Sequence, residues 1–137
     1  MSTPAASGSA AGSSAGSAAT MHIGAVAERT GLSLRSLRHW DEVGLVRPSG
    51  RTEGGFRLYT EPDVERILLV RRMKPLGFSL EEMGRLLELA DRVAAGDADD
   101  AVRAELAGLV AAAQERRAEL ARKLDMADEL IALLRAL

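Results

Sequence analysis

The sequence predicts a mainly α-helical chain: a winged helix-turn-helix domain with a small β-hairpin, then a long C-terminal coiled-coil helix. Three observations carry that expectation. Two short segments with helical apolar spacing are joined by Thr30-Gly31-Leu32-Ser33. A glycine pair, Gly54-Gly55, runs into the alternating Phe56-Arg57-Leu58-Tyr59, the period of a strand with two different faces. From Asp99 to Leu137 there is no proline and one glycine, Gly108, and the apolar residues fall at heptad spacing.

The first twenty residues are almost all Ala, Ser and Gly and carry no charge, so 1–20 reads as a disordered tail. Lacking a basic start and a continuous apolar core, it is no signal peptide. Translation from Met1 or from Met21 stays open. Ile23, Val26 and Ala27 share one face of a first helix. Gly31 suits the left-handed residue that ends it, and Ser33 is a good cap for the next. That second helix, Leu34 to about Val43, is expected to bury Leu34, Leu37 and one edge of Trp40, with Gly44 as its stop. Leu45-Val46-Arg47-Pro48 is extended, because the residue before a proline is pushed out of the α region.

The hairpin is expected to pack Phe56 and Leu58 and to present Arg57 and Tyr59. Thr60-Glu61-Pro62-Asp63 then starts a third helix, with a capping threonine, a first-turn proline and acids in that turn. It runs to about Lys74, where Pro75 and Gly77 end it. Ser79 caps a fourth helix to about Val93, and Ala94-Ala95-Gly96-Asp97 is a joint. The expected domains are therefore a tail (1–20), a DNA-binding domain (21–94) and a dimerisation helix (95–137). In the last, Val110, Leu124 and Ile131 form one seam position and Leu106, Ala113, Leu120, Ala127 and Leu134 the other; Arg117 is the charged exception. Such a helix, roughly 57 Å long, outreaches a small domain and calls for a partner, most simply its own copy. Folding back on its own domain is the alternative.

In a helix-turn-helix the second helix enters the major groove. Its outward residues here are Ser33, Arg35, Ser36, Arg38 and His39. Arg51, Arg57 and Tyr59 on the wing are expected to touch the DNA backbone beside it. Net charge is −2 over 137 residues, which hides a split: residues 21–78 hold ten basic and seven acidic side chains, residues 79–137 eight basic and thirteen acidic. The basic half suits a polyanion.

The exclusions are as useful. With no cysteine there is no disulfide, thiolate metal site or cysteine-held iron–sulfur cluster. His22 and His39 are isolated, so no metal site is expected, and Asp97, Asp99 and Asp100 read as a helix cap. No cofactor is expected either. No histidine–carboxylate pairing or phosphate-cradling glycine loop is present, which argues against an enzyme. No run of eighteen apolar residues spans a membrane, and the expected location is the cytoplasm.

The run from Ile23 to Leu87 resembles, nearly end to end, the N-terminal domain of the MerR family of bacterial transcription regulators. The likeness rests on the helix-turn-helix Ile23–Gly44, with Leu-Arg-x-x-Asp-x-x-Gly-Leu at 37–45, on the wing Arg51–Tyr59, and on Leu76-Gly77-Phe78-Ser79-Leu80. It is strong over 21–90; the terminal helix agrees in kind with the family's antiparallel dimerisation helix. The resemblance implies a winged-helix homodimer on pseudo-palindromic promoter DNA. Such proteins bend and underwind the spacer so that RNA polymerase engages, or repress instead. His39-Trp40 stands where the family usually has two aromatics. The cysteines of metal- and redox-sensing relatives are missing, and the chain stops as the helix ends. No separate effector-binding domain is expected, and any small-molecule or protein effector stays unnamed. The competing expectation is a protein-interaction adaptor that docks through the coiled-coil helix and keeps a vestigial winged domain.

Overall fold

Short polar side chains and one glycine mark several helix ends in the computed structural model, which describes residues 19–137. The order is β1 (Thr20–His22), α1 (Ile23–Thr30), α2 (Leu34–Glu42), β2 (Gly50–Arg51), β3 (Arg57–Thr60), α3 (Glu61–Met73), a 3-10 turn (Lys74–Leu76), α4 (Leu80–Ala94) and α5 (Asp100–Arg135). Gly31 ends α1 with φ 73°, where a Cβ would be strained, and its N–H donates to Ala27 O at 2.9 Å. Ser33 Oγ then accepts from Ser36 N at 3.0 Å and opens α2. At α4 the cap is reciprocal: Glu82 N donates to Ser79 Oγ at 3.1 Å and Ser79 N to Glu82 Oε1 at 2.8 Å.

The strands form one antiparallel sheet in the order β1-β3-β2. Thr20, Met21 and His22 pair with Thr60, Tyr59 and Leu58, and Gly50 and Arg51 with Leu58 and Arg57. Strand β1 corrects the expectation of a tail over 1–20, since Thr20 is already paired; three residues with no turn beside them give too little periodicity to be read as a strand. The rest of that expectation, 1–18, lies outside the described residues.

Two compact units make up the chain, the first ending at Arg71 and the second Arg72–Leu137. The expected domain over 21–94 spans the boundary between these units. Within the second unit α4 lies against α5. Buried in the first unit are Val26, Leu37, Trp40, Leu45, Val46, Tyr59, Val64, Ile67 and Val70. In the second, Met73, Phe78, Met83, Leu87, Leu89 and Val102 are buried.

Helix α5 carries one apolar stripe with two fates. At about 100° per residue, Val102, Leu106, Leu109 and Ala113 share an arc with Leu120, Leu124, Ala127, Ile131 and Leu134. Along the first half α4 and the 3-10 turn pack against the helix, leaving Val102 buried and Leu106, Leu109 and Ala113 half-buried. Arg116 fastens this half: its guanidinium lies 4.0 Å from the Phe78 ring centre and donates to Leu76 O at 3.3 Å. Past Arg116 every residue of the helix is exposed. Leu106 and Ala113, expected wholly in an intermolecular seam, are thus partly covered within their own chain. The helix does both things: it leans back on α4, then runs bare.

Candidate nucleic-acid interface

Helix α2 is oriented by what it buries. Leu37, Trp40 and Asp41 point inward, and Val43, Leu45 and Val46 continue into a tight exit in which Leu45 N and Val46 N both donate to Trp40 O. With that face fixed, Arg35, Arg38 and His39 share the opposite arc and are exposed. Leu34 is 38% exposed, a departure from expectation; at about 100° per residue it falls beside Arg38 at the edge of the outward arc. Ser33 is exposed, but its oxygen is engaged in the cap, and Ser33 Oγ also donates to Ser36 Oγ at 3.1 Å. Glu42 lies in the outward arc too, at the far end of the helix, and went unnoticed in the sequence.

The wing is a short, stiff loop. Thr52 N donates to Phe56 O and Gly55 N to Thr52 O, both at 2.9 Å, and Phe56 N donates to Thr52 Oγ1 at 3.0 Å. Gly55 has φ 87°, the one position at the tip that needs glycine. The hairpin faces are the reverse of the expected ones for its aromatics. Phe56 is 69% exposed at the tip, and Tyr59 is 1% exposed in the core. Tyr59 is therefore no outward contact. It pairs opposite Met21 in β1, the strand that went unseen, and α1 packs against β3. Among the described residues Tyr59 Oη has no hydrogen-bond partner, and burial together with the nearby Asp41 charge pushes the phenol above its ordinary pKa.

Arg57 and Arg51 meet on one carboxylate. Asp41 Oδ2 accepts from Arg57 Nε at 2.6 Å and from Arg51 NH2 at 2.8 Å. Burial works to raise the Asp41 pKa; the hydrogen bonds and charges of Arg57 and Arg51 outweigh it and hold the carboxyl below its ordinary value. Arg51 reaches on to Gly55 O at 3.4 Å. The result ties a basic wing to the helix that carries Arg35 and Arg38. Asp41 stands in the motif at 37–45, but nothing in linear spacing places position 41 beside 51 and 57.

A second buried carboxylate braces the same unit. Asp63 Oδ2 accepts from Ser49 Oγ at 2.6 Å, Thr60 N at 2.9 Å and Ser49 N at 3.0 Å. It closes a reciprocal cap on α3, in which Thr60 Oγ1 accepts from Asp63 N at 3.3 Å, and anchors the segment that leads into the wing. Arg29 of α1 pairs with Glu61 at the start of α3. Among the described residues, no group of three or more His, Asp or Glu side chains is placed to hold a metal ion, and no helix is long and apolar enough to cross a membrane.

Comparison with known proteins adds to this geometry. Residues 21–90 match the model for the MerR HTH family regulatory protein, and residues 64–137 the model "MerR, DNA binding". The chain is 42% identical over 69 residues to an uncharacterized HTH-type transcriptional regulator of Pseudomonas aeruginosa, covering 50% of this chain and 52% of that one. To heavy metal-dependent transcription regulator 2 of Rhizobium meliloti it is 39% identical over 100 residues, covering 69% and 68%. The chain spans about half the length of the Pseudomonas relative. Among solved structures it superposes with a TM-score of 0.66, at 27% identity, on HiNmlR, described as a MerR family regulator lacking the sensor domain and bound to promoter DNA; 85% of this chain and 91% of that one are covered.

Proposed function

The chain belongs to the MerR family of helix-turn-helix regulatory proteins, and from that premise we propose that it is a homodimeric, sequence-specific DNA-binding transcription regulator. It acts on pseudo-palindromic promoter DNA and distorts it to control initiation at a promoter where RNA polymerase is also bound. The observation that carries the reading is the outward arc Arg35, Arg38 and His39 on a helix whose opposite face is locked in the core. Arginine at such a place grips guanine O6 and N7, or a phosphate, with two parallel hydrogen bonds.

In this reading α2 lies in the major groove, led by its N-terminal turn with Ser33 and Ser36 near the backbone, while Arg51 and Arg57 of the wing meet phosphates alongside. Base edges give sequence choice; phosphate contacts give register and salt-dependent affinity. The bare half of α5 pairs antiparallel with its copy through Leu120, Leu124, Ala127, Ile131 and Leu134, with Val110 and the half-covered Leu106 and Ala113 at the margin. Pairing sets two reading heads at a fixed spacing, which a palindromic site matches. The protein works in the cytoplasm, where its DNA is, and as a binding protein, without turnover of a substrate. The adaptor reading is not favoured, because self-pairing already accounts for the bare leucines.

A gel shift on the region upstream of its own gene tests this. Arg38→Ala should weaken binding by about tenfold or more, as loss of a bidentate contact does. Binding unchanged by both Arg38→Ala and Arg35→Ala would overturn the reading.

A further inference from the structure

The polar side-chain contacts that join the reading helix to the wing are, among the described residues, two ion pairs converging on one oxygen. Asp41 supplies that oxygen from the inner edge of α2 and is 8% exposed, so it is turned away from any duplex met by Arg35 and Arg38. Arg57 has its side chain 22% exposed and Arg51 46% exposed. Two guanidinium groups crowded within hydrogen-bonding reach of one atom repel each other unless the carboxylate between them is ionised.

We propose that Asp41 is a positioning residue: it fixes both wing arginines relative to the reading helix and so sets how sharply the protein separates its operator from other DNA. The proposal rests on the DNA-binding reading above. The chemistry is a division of donors. Guanidinium has five N–H groups in a rigid fork. Asp41 takes Nε of Arg57 and leaves both terminal nitrogens for an outside acceptor. It takes one terminal nitrogen of Arg51, whose other one reaches the wing backbone at Gly55 O. An arginine held this way meets phosphate only where the helix is already in register with its bases. An arginine released from Asp41 still carries its charge, but it reaches phosphate on any duplex in many poses. Asp41 thus withholds non-specific attraction and converts wing charge into register.

The test uses the full chain and two fluorescent duplexes of equal length: an operator selected by the native protein from a randomised pool, and a shuffled version. Asp41→Asn keeps the shape and removes the charge. The ratio of operator to shuffled affinity should fall about tenfold, the size of coupling expected within one ion-pair network. Affinity for the shuffled duplex should hold or rise, with an equal or steeper dependence on salt. A merely structural role would lower both affinities together and leave their ratio alone. Arg57→Lys, which keeps charge and lacks the Nε donor, should lose selectivity in the same way, and it decides the matter if Asp41→Asn fails to fold. An unchanged ratio in a folded Asp41→Asn, or in Arg57→Lys, overturns the proposal. A native protein that selects no duplex at all is a different result: it sinks the DNA-binding reading, and this proposal with it.

Discussion

In the first unit Asp41 and Asp63 are only 8% and 7% exposed, whereas in the second Leu124 and Leu133 are 64% and 67% exposed. Both reverse the usual partition of charge outside and apolar side chains inside. They resolve it differently. Each buried carboxylate finds its donors within its own unit, so the reading surface is built before anything binds. The bare leucines are left uncovered among the described residues; in the dimer proposed above, their burial comes from the second copy. On that reading one region's order is independent of concentration and the other's is not.

The contrast can be broken at either end. The largest effect should come from Leu124→Glu with Ile131→Glu, which places charge in both copies of the seam. The dimer should weaken by at least a thousandfold, roughly 4 kcal/mol, since two fully covered aliphatic side chains are lost per chain. Analytical ultracentrifugation should show a monomer with α-helical circular dichroism largely kept; a dimer surviving at micromolar concentration would mean the seam lies elsewhere. Next is Asp63→Ala, which strands Ser49 N, Ser49 Oγ and Thr60 N. It should lower stability by about 3 kcal/mol, in the range for a broken buried network. Thermal unfolding checks it, and a shift of only a degree or two would show that Asp63 is dispensable.

Smaller effects sharpen the comparison. Ser79→Ala removes the reciprocal cap of α4 and should cost about 1 kcal/mol by urea denaturation. Asp41 makes a pH statement as well. Because its folded pKa lies below the ordinary value of 3.8, its stabilisation is complete above that value and is lost as pH falls through the folded one. Asp41→Asn should flatten that part of the acid limb in a stability-versus-pH titration; an identical limb would show that the paired arginines do not favour the folded charge. Smallest is Tyr59→Phe. Its hydroxyl is buried without a partner, so stability should change by less than about 1 kcal/mol, with a gain the expected sign. DNA affinity should be unaltered, and a large loss would restore Tyr59 to the interface.

Much of this was legible in the sequence where local chemistry decides it. Ser33, Ser79, Gly31 and Thr60 mark helix ends because a cap involves residues three or four apart. The wing's existence followed from Gly54-Gly55 and alternation. What failed were judgements that depend on pairing across long separations. Period two says that Arg57 and Tyr59 share a face and Phe56 and Leu58 the other; it does not say which face is covered. That is decided by what packs on the sheet, and α1, some thirty positions earlier in the chain, packs against β3. Asp41 was missed for the same reason. The heptad spacing of α5 was visible, but spacing alone could not show that Leu106, Leu109 and Ala113 are half-buried on the stretch packed by α4 while Leu120 onward is exposed.

Trp40 is the chain's one indole, and it sits 4% exposed on the inner side of the helix proposed to read DNA. Its fluorescence therefore belongs to that helix alone. Emission stays blue while the inner face is docked in apolar surroundings and moves red once water reaches the ring, so the protein carries a label-free optical gauge of its reading head. No added dye would sit so near the part whose seating matters.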